Sequence, residues 1–405
     1  MNILLSAYSC APDQGSEPGA GWQWLLAAGS IGQVTALVNS NSVAALSAAL
    51  AAEPVNGTVD LVPVPLSRRQ QRWIEAGRFE RIVYLIWQRR ARHIAQALLR
   101  CQRFDVVHHV TFGSDWLYAG VAGLACPFVW GPVGGSTFAG FQLTRRSHGN
   151  WIPELMRGPA IALGRRAWTR KYVKTAGYIF AQNNDAKAGL EALGVSCPVE
   201  VFPHVALETE HLHRIASATE PQCRLLVFVG RLVAWKGVHL ALEALKRLPD
   251  DWRLEFIGDG PERRKLESRA RLLGVAGRVT FRGQLPRHGT LQRLAGAAAL
   301  LFPSLHDSAG WVVAEAQAMG RPVVCLDIAG PPCLINRQTS AAIPPHGSDL
   351  AQALAEGVLS VRPGACSDRW DRSRIPTALK YAYEVAAFGG QGKIMTREPP
   401  SGVNG

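Results

Sequence analysis

Nowhere in the 405 residues is there an uninterrupted apolar run of 18 or more, which excludes a membrane-spanning helix on the length a bilayer requires. The eight cysteines are scattered, with no Cys-x-x-Cys pair and no Cys/His cluster at zinc spacing. Most of them read as reduced, buried, small apolar residues. Lys and Arg are missing from residues 1–50, so the opening run Met1 to Tyr8 lacks the basic region and cleavage site of a secretion signal. It reads as a first buried strand, and the chain is expected in the cytoplasm. No long segment is of low complexity.

Hydrophobic residues make up 47% and charged residues 19%, which suits an α/β protein and not a disordered one. The length exceeds what one core usually supports, so two domains of roughly 200 residues are expected. The formal charge of +13 is uneven: Arg68 to Arg103 holds ten Arg against Glu75 and Glu80. A second basic stretch runs from Arg145 to Lys187. Both are interleaved with aromatic and branched residues, among them Trp73, Phe79, Ile82, Trp87, Trp151 and Trp168. Such helices suit an anionic membrane surface, while a plain solvated helix face accounts for the charge equally well. Nucleic acid is not expected as a partner, because no helix-turn-helix, RRM or zinc-finger pattern accompanies the charge.

Strand patterns (Asn2 to Tyr8, Val34 to Val38, Val59 to Val64, Val106 to Val110, Pro127 to Trp130, Gly177 to Ala181) alternate with helical ones. This predicts a parallel sheet covered by helices on both faces. Ser9 to Gly21 reads as a turn-rich segment. From Pro203 to Gln222 apolar periodicity fades, and a linker is placed there. Strand, turn and helix then alternate again from Arg224 to Leu326. The expected organisation is one doubly wound, Rossmann-like domain over 1–215 and a second over 222–362. A helix holding Trp370, Tyr381 and Tyr383 lies within 363–388, and a disordered tail covers 389–405.

In open parallel sheets ligands bind beyond the carboxyl ends of the strands. Three turns of the second domain stand there. Gly230-Arg231-Leu232-Val233-Ala234-Trp235-Lys236-Gly237 offers a glycine for close backbone approach and two cations for a diphosphate. Gly258-Asp259-Gly260-Pro261 is a tight turn before a helix. Pro303 to Gly310 leads into a helix whose first N–H groups, around Gly310, Trp311 and Val312, form an anion site. Asp307 and Glu315, with seven residues between them, bracket that site together with Ser308 and Ala309.

Gly230-Arg231, Lys236-Gly237, Phe256 to Pro261, Val279-Phe281-Gly283, Pro303-Ser304, and Asp307 to Glu315 followed by Ala316, Met319-Gly320 and Pro322 to Val324 occur in order from 224 to 335. This series resembles the retaining GT-B glycosyltransferases of family 4, and the likeness extends more loosely over the first 220 residues. It implies that Arg231 and Lys236 contact the diphosphate of a UDP- or GDP-linked sugar and that Glu315 holds the ribose. Asp307 stands where the family usually has Glu, keeping the charge and shortening the reach by one methylene. The implied chemistry is metal-independent transfer with retention to a saccharide or lipid-linked saccharide acceptor, in exopolysaccharide or surface-glycan assembly. No cofactor or metal is expected.

In the first domain, Gly15-Ser16-Glu17-Pro18-Gly19-Ala20-Gly21 resembles the glycine-rich first loop of that family. Its spacing is not a dinucleotide fingerprint, which argues against NAD. Gly131-Pro132-Val133-Gly134-Gly135-Ser136 lacks the His that many relatives carry near the reacting carbon. His108 and His109 follow a strand and are candidates for the cleft, as Glu17 is for an acceptor contact. His204 is expected at the domain junction. Two rival readings share these features: a GT-B nucleotide-sugar epimerase or hydrolase, and a non-catalytic basic scaffold at a membrane. The first needs a dedicated general base that no motif supplies. The second does not explain why both cations and Glu315 stand at matching positions.

Overall fold

The computed structural model describes residues 1–12, 14–53, 55–76, 79–137, 139, 143 and 151–389. The tail beyond 389 and residues 145–150 of the second basic stretch lie outside them.

The chain runs β1 (Asn2–Ala7), α1 (Ser16–Ile31), β2 (Gln33–Asn39), α2 (Val43–Ala52), β3 (Val59–Val64), α3 (Arg68–Glu75), α4 (Glu80–Cys101), β4 (Val106–Thr111) and β5 (Phe128–Val133). Next come α5 (Trp151–Gly164), a π-turn over Arg165–Thr169, α6 (Arg170–Thr175), β6 (Ala176–Ala181), α7 (Asn184–Glu191), β7 (Val199–Val201) and α8 (Thr209–Ser217). The second half holds β8 (Leu225–Val229), α9 (Val238–Arg247), β9 (Arg253–Ile257), α10 (Arg263–Leu272), β10 (Val279–Gly283), α11 (Arg287–Ala295), β11 (Ala299–Phe302) and α12 (Trp311–Ala318). It ends with β12 (Val323–Leu326), α13 (Pro331–Leu334), β13 (Ala341–Ile343), α14 (Leu350–Ser360) and α15 (Arg374–Phe388).

Two parallel sheets result, ordered β3-β2-β1-β4-β5-β6-β7 and β10-β9-β8-β11-β12-β13. Central strands such as β4 and β5 are buried at every position, because helices cover both faces. In each sheet the order reverses beside the first strand of the unit, β1 or β8. Ligand crevices of doubly wound sheets open at such a point.

Three sequence expectations are corrected. Gly15 to Gly21 is not a loop: α1 begins at Ser16, and its glycines serve close packing. A Cβ on Gly19 would lie 1.9 Å from the Gln14 carbonyl oxygen, and one on Gly21 would lie 2.0 Å from that of Ser9. Pro203 to Gln222, where the linker is placed, contains a helix, α8, that the fading periodicity did not suggest. That helix buries Thr209, Leu212 and Ile215 against α11 and α12, and so few apolar residues hid its period. Trp370 precedes the last helix. Its indole donates to the Leu334 carbonyl oxygen at 3.0 Å, tying the returning chain to the second unit. α15 then packs on α1, β4, β5 and β6, so the last helix completes the first unit.

Candidate active site

The units meet through the segments that follow their strands. Asn183, after β6, donates a 2.8 Å hydrogen bond to the Ser308 carbonyl oxygen, and the Asp185 carboxylate accepts from Ala329 N–H at 3.0 Å. A Cβ on Gly135 would lie 3.6 Å from Ser308 Oγ, and one on Gly19 would lie 3.6 Å from Trp311.

On the second-domain wall, Gly230 (φ +146) and Gly258 (φ +129) end β8 and β9 in conformations that only glycine adopts readily. A side chain on Gly258 would reach within 2.1 Å of the Gly230 carbonyl oxygen, so the two turns stack backbone on backbone. With Arg231, Gln284 and Leu285 they line a cavity of about 380 Å³. Arg231 is exposed, and its guanidinium has no hydrogen-bond or ion-pair partner among the described residues.

Gly237 (φ +71) presses on Pro303, where a Cβ would stand 1.9 Å from the carbonyl oxygen. This contact lays the turn after β8 on the loop after β11, and the consequence is an ion pair that the sequence did not suggest. Lys236 Nζ lies 2.7 and 2.6 Å from the two carboxylate oxygens of Asp307. The ammonium also sits 4.8 Å from the Trp235 ring and 5.1 Å from the Phe302 ring, and Trp235 stacks on His306 at 4.5 Å. Low solvent access and two ring faces fix the position of the cation.

Gly310 (φ +86) turns the chain into α12. The backbone N–H groups of Ser308, Ala309, Gly310, Trp311 and Val312 find no acceptor among the described residues. Glu315, one turn further on, is 4% exposed. Arg287, at the start of α11, brings Nη1 to 2.8 Å from Glu315 Oε1, yet no N–H points at that buried oxygen, which stays without a hydrogen bond. The same Nη1 would lie 3.4 Å from a Cβ on Gly15, so Arg287 touches both walls. Sequence reasoning missed Arg287 and Asn183. The available signals were a cation directly after Pro286 at a helix start, and the polar run Gln182 to Asp185 at a strand end.

On the first wall, the Glu17 carboxylate accepts from the Gly113 N–H, and the Gly134 N–H bonds the Gly113 carbonyl oxygen at 2.9 Å. Burial pushes the Glu17 carboxyl up to about 6, against the pull of that N–H and with a further push from Glu80. Ser16 precedes it at the head of α1. The two histidines do not face the cleft. His108 is fully buried, with Nδ1 2.8 Å from Tyr383 Oη on α15 and Nε2 2.7 Å from the Gly131 carbonyl oxygen. His109 is 1% exposed, between Tyr84 Oη at 3.3 Å and Ser6 Oγ at 3.2 Å. A strand buried on both faces turns consecutive side chains into opposite cores, which is why both are enclosed. Burial lowers each to about 3. His204 does lie at the junction, 6.1 Å from the Trp311 ring.

Chemically, the second wall offers a recess at two stacked turns, two cations, a row of free N–H groups and a buried carboxylate. Cations and N–H groups together suit an anion, and the carboxylate suits a diol. No group of three or more His, Cys, Asp or Glu able to hold a metal ion occurs among the described residues.

Two facing Rossmann-like units with this cleft define a GT-B-type architecture. The HepE protein of Anabaena, solved in complex with UDP, superposes with a TM-score of 0.57 at 15% identity, covering 94% of this chain and 99% of that one. Residues 223–361 match the family model described as glycosyl transferases group 1. Similar curated proteins include the lipopolysaccharide core biosynthesis glycosyltransferase LpsE of Rhizobium meliloti, 38% identical over 113 residues, or 28% of this chain and 32% of the relative. A D-inositol 3-phosphate glycosyltransferase of Mycobacteroides abscessus is 35% identical over 172 residues, 40% of this chain and 37% of the relative. The chain thus spans about a third of the length of these relatives.

Proposed function

We propose that the protein is a retaining glycosyltransferase of the family 4 type. It moves a hexosyl group from a nucleoside diphosphate sugar to a hydroxyl of a saccharide or lipid-linked saccharide in surface-glycan assembly. The observation that carries this reading is the convergence, on one wall, of Arg231, Lys236, the free N–H groups of residues 308–312 and Glu315. The planar base fits the recess at Gly230 and Gly258, and Glu315 accepts from the ribose hydroxyls. The diphosphate lies on the two cations and the start of α12. The UDP bound by the Anabaena neighbour, and the glycan roles in the names of the sequence relatives, support a UDP-linked donor and a saccharide acceptor.

In the reaction, the bond from the anomeric carbon to the diphosphate oxygen breaks as the acceptor oxygen bonds to the same face. The acceptor proton passes to the departing phosphate oxygen. Negative charge grows on the diphosphate, where fixed cations and N–H groups stabilise it. Lys236 must share its charge between Asp307 and the phosphate, which keeps it in place before the donor arrives. No metal is required by this scheme.

Thermal-shift measurements with UDP, GDP and their sugars test donor binding, and NMR of the product tests stereochemistry. Stabilisation by one nucleotide and an anomeric configuration equal to the donor's are expected. No nucleotide effect would sink the reading. Donor hydrolysis that proceeds as fast without acceptor would replace transfer by hydrolysis.

A further inference from the structure

At the junction of the units, His204 Nδ1 and Trp311 Nε1 are buried and have no hydrogen-bond partner among the described residues. Their rings are neighbours, 6.1 Å apart and tilted by 41°. His204 comes from the segment after β7 of the first sheet, and Trp311 is the first residue of α12 in the second unit, so the pair spans the seam. Trp311 also reaches α1, where a Cβ on Gly19 would lie 3.6 Å from its ring.

The two nitrogens are chemically complementary. An indole N–H only donates. Burial lowers His204 to about 4 against the pull of the Asp307 carboxylate, so the imidazole is neutral near pH 7, with one ring nitrogen protonated and the other an acceptor. With the proton on Nε2, Nδ1 accepts. A single hydroxyl answers both groups: it donates its proton to Nδ1 and accepts the indole N–H on its oxygen. An ionised carboxylate or a diphosphate ester has no proton to give Nδ1. Buried polar atoms find such partners because leaving them unpaired forfeits their hydration.

The position of the pair selects the hydroxyl. Trp311 is one of the residues whose free N–H groups take the diphosphate on the proposed reaction. Asp307, close enough to act on His204, is bonded to Lys236, the cation assigned to that same diphosphate. What the diphosphate carries at this end is the hexose, and its hydroxyls are the neutral donor-acceptor groups that arrive beside the start of α12.

We infer that His204 and Trp311 together recognise one hydroxyl of the transferred hexose, with one contact from each unit, and thereby select the donor sugar. The inference rests on the proposed transfer reaction for the identity of that group.

The test is titration calorimetry of the full chain, wild type, His204→Phe and Trp311→Phe, with UDP, with UDP-glucose, and with deoxy analogues of UDP-glucose that lack each hexose hydroxyl in turn. Both variants keep a ring in place and remove one hydrogen bond. Each should bind UDP-glucose about ten-fold more weakly. UDP alone should bind both as it binds wild type, which also reports an intact donor wall. For one analogue, wild type should lose a similar factor while the variants lose nothing further, because the partner of the missing hydroxyl is already gone. Additive losses for every analogue overturn the site, as do variants that hold UDP-glucose as tightly as wild type or that lose UDP equally. Those outcomes leave the donor reading in place so long as wild type binds UDP. No binding of UDP to wild type removes the donor reading and this site with it.

Discussion

Lys236 and Asp307, 71 residues apart, form a nearly closed ion pair in which both carboxylate oxygens lie within 2.7 Å of the ammonium. The side chains are only 16% and 14% exposed. On the proposed reaction, the pair holds the cation where the leaving diphosphate would be stabilised. Lys236→Ala and Arg231→Ala should each lower turnover about 100-fold or more, with the fold intact by circular dichroism. Because Lys236 and Asp307 act as one unit, Lys236→Ala/Asp307→Asn should be scarcely worse than either single variant. Additive losses, measured as nucleotide released per minute, would separate their roles.

The loops that carry this pair touch through Gly237 and Pro303. Gly237→Ala combines a left-handed φ of +71 with a Cβ 1.9 Å from a carbonyl oxygen, whereas Gly274→Ala has a φ of +70 and nothing within 4 Å. Backbone strain alone costs about 1–2 kcal/mol. Gly274→Ala should therefore lose about that much stability and keep its activity. Gly237→Ala should lose more and lose turnover as well. Equal melting temperatures for the two variants would show that the loop contact is slack.

On the first wall, burial moves the acidity of Glu17 toward neutrality, to about 6. As an acceptor contact it is useful when ionised, so kcat/KM should rise with pH through about 6. Glu17→Gln should remove that acidic limb and lower the rate. Its raised folded value also means that stability is lost as pH rises from the ordinary carboxylate range to about 6, so the variant should melt no lower than wild type at neutral pH. An unchanged profile in Glu17→Gln would take the residue out of the reaction.

His108 and His109 are held neutral, each near 3. The unfolded chain binds more protons than the folded one between these values and about 6.5, so stability is present above that range and is lost as pH falls through it. The slope should reach about 1.4 kcal/mol per pH unit for each histidine. Replacing His109 by Gln should flatten melting temperature against pH over that window, and an unaltered curve would contradict its burial as a neutral ring.

Much of this was legible in the chain. Short apolar runs followed by turns marked β8, β9 and β11, and ligand chemistry at the ends of parallel strands follows from that pattern, so Arg231, Lys236 and Glu315 could be singled out. Elements whose identity depends on a neighbour were harder to read. The glycines of Gly15 to Gly21 look like a loop until the carbonyl oxygens of Gln14 and Ser9 are seen against them. α8 shows too few apolar residues for its period to stand out.

The sequence by itself determined the two alternating units, their parallel sheets and the turns that carry Arg231, Lys236 and Glu315, because these depend on local periodicity and on residues close to one strand end. Only the tertiary structure decided which charges meet. It paired Lys236 with Asp307, set Arg287 between Glu315 and Gly15, and enclosed His108 and His109. It also returned α15 to the first unit, where Tyr383 bonds His108. These contacts join residues up to 275 positions apart, and chain order carries no distance between points so remote.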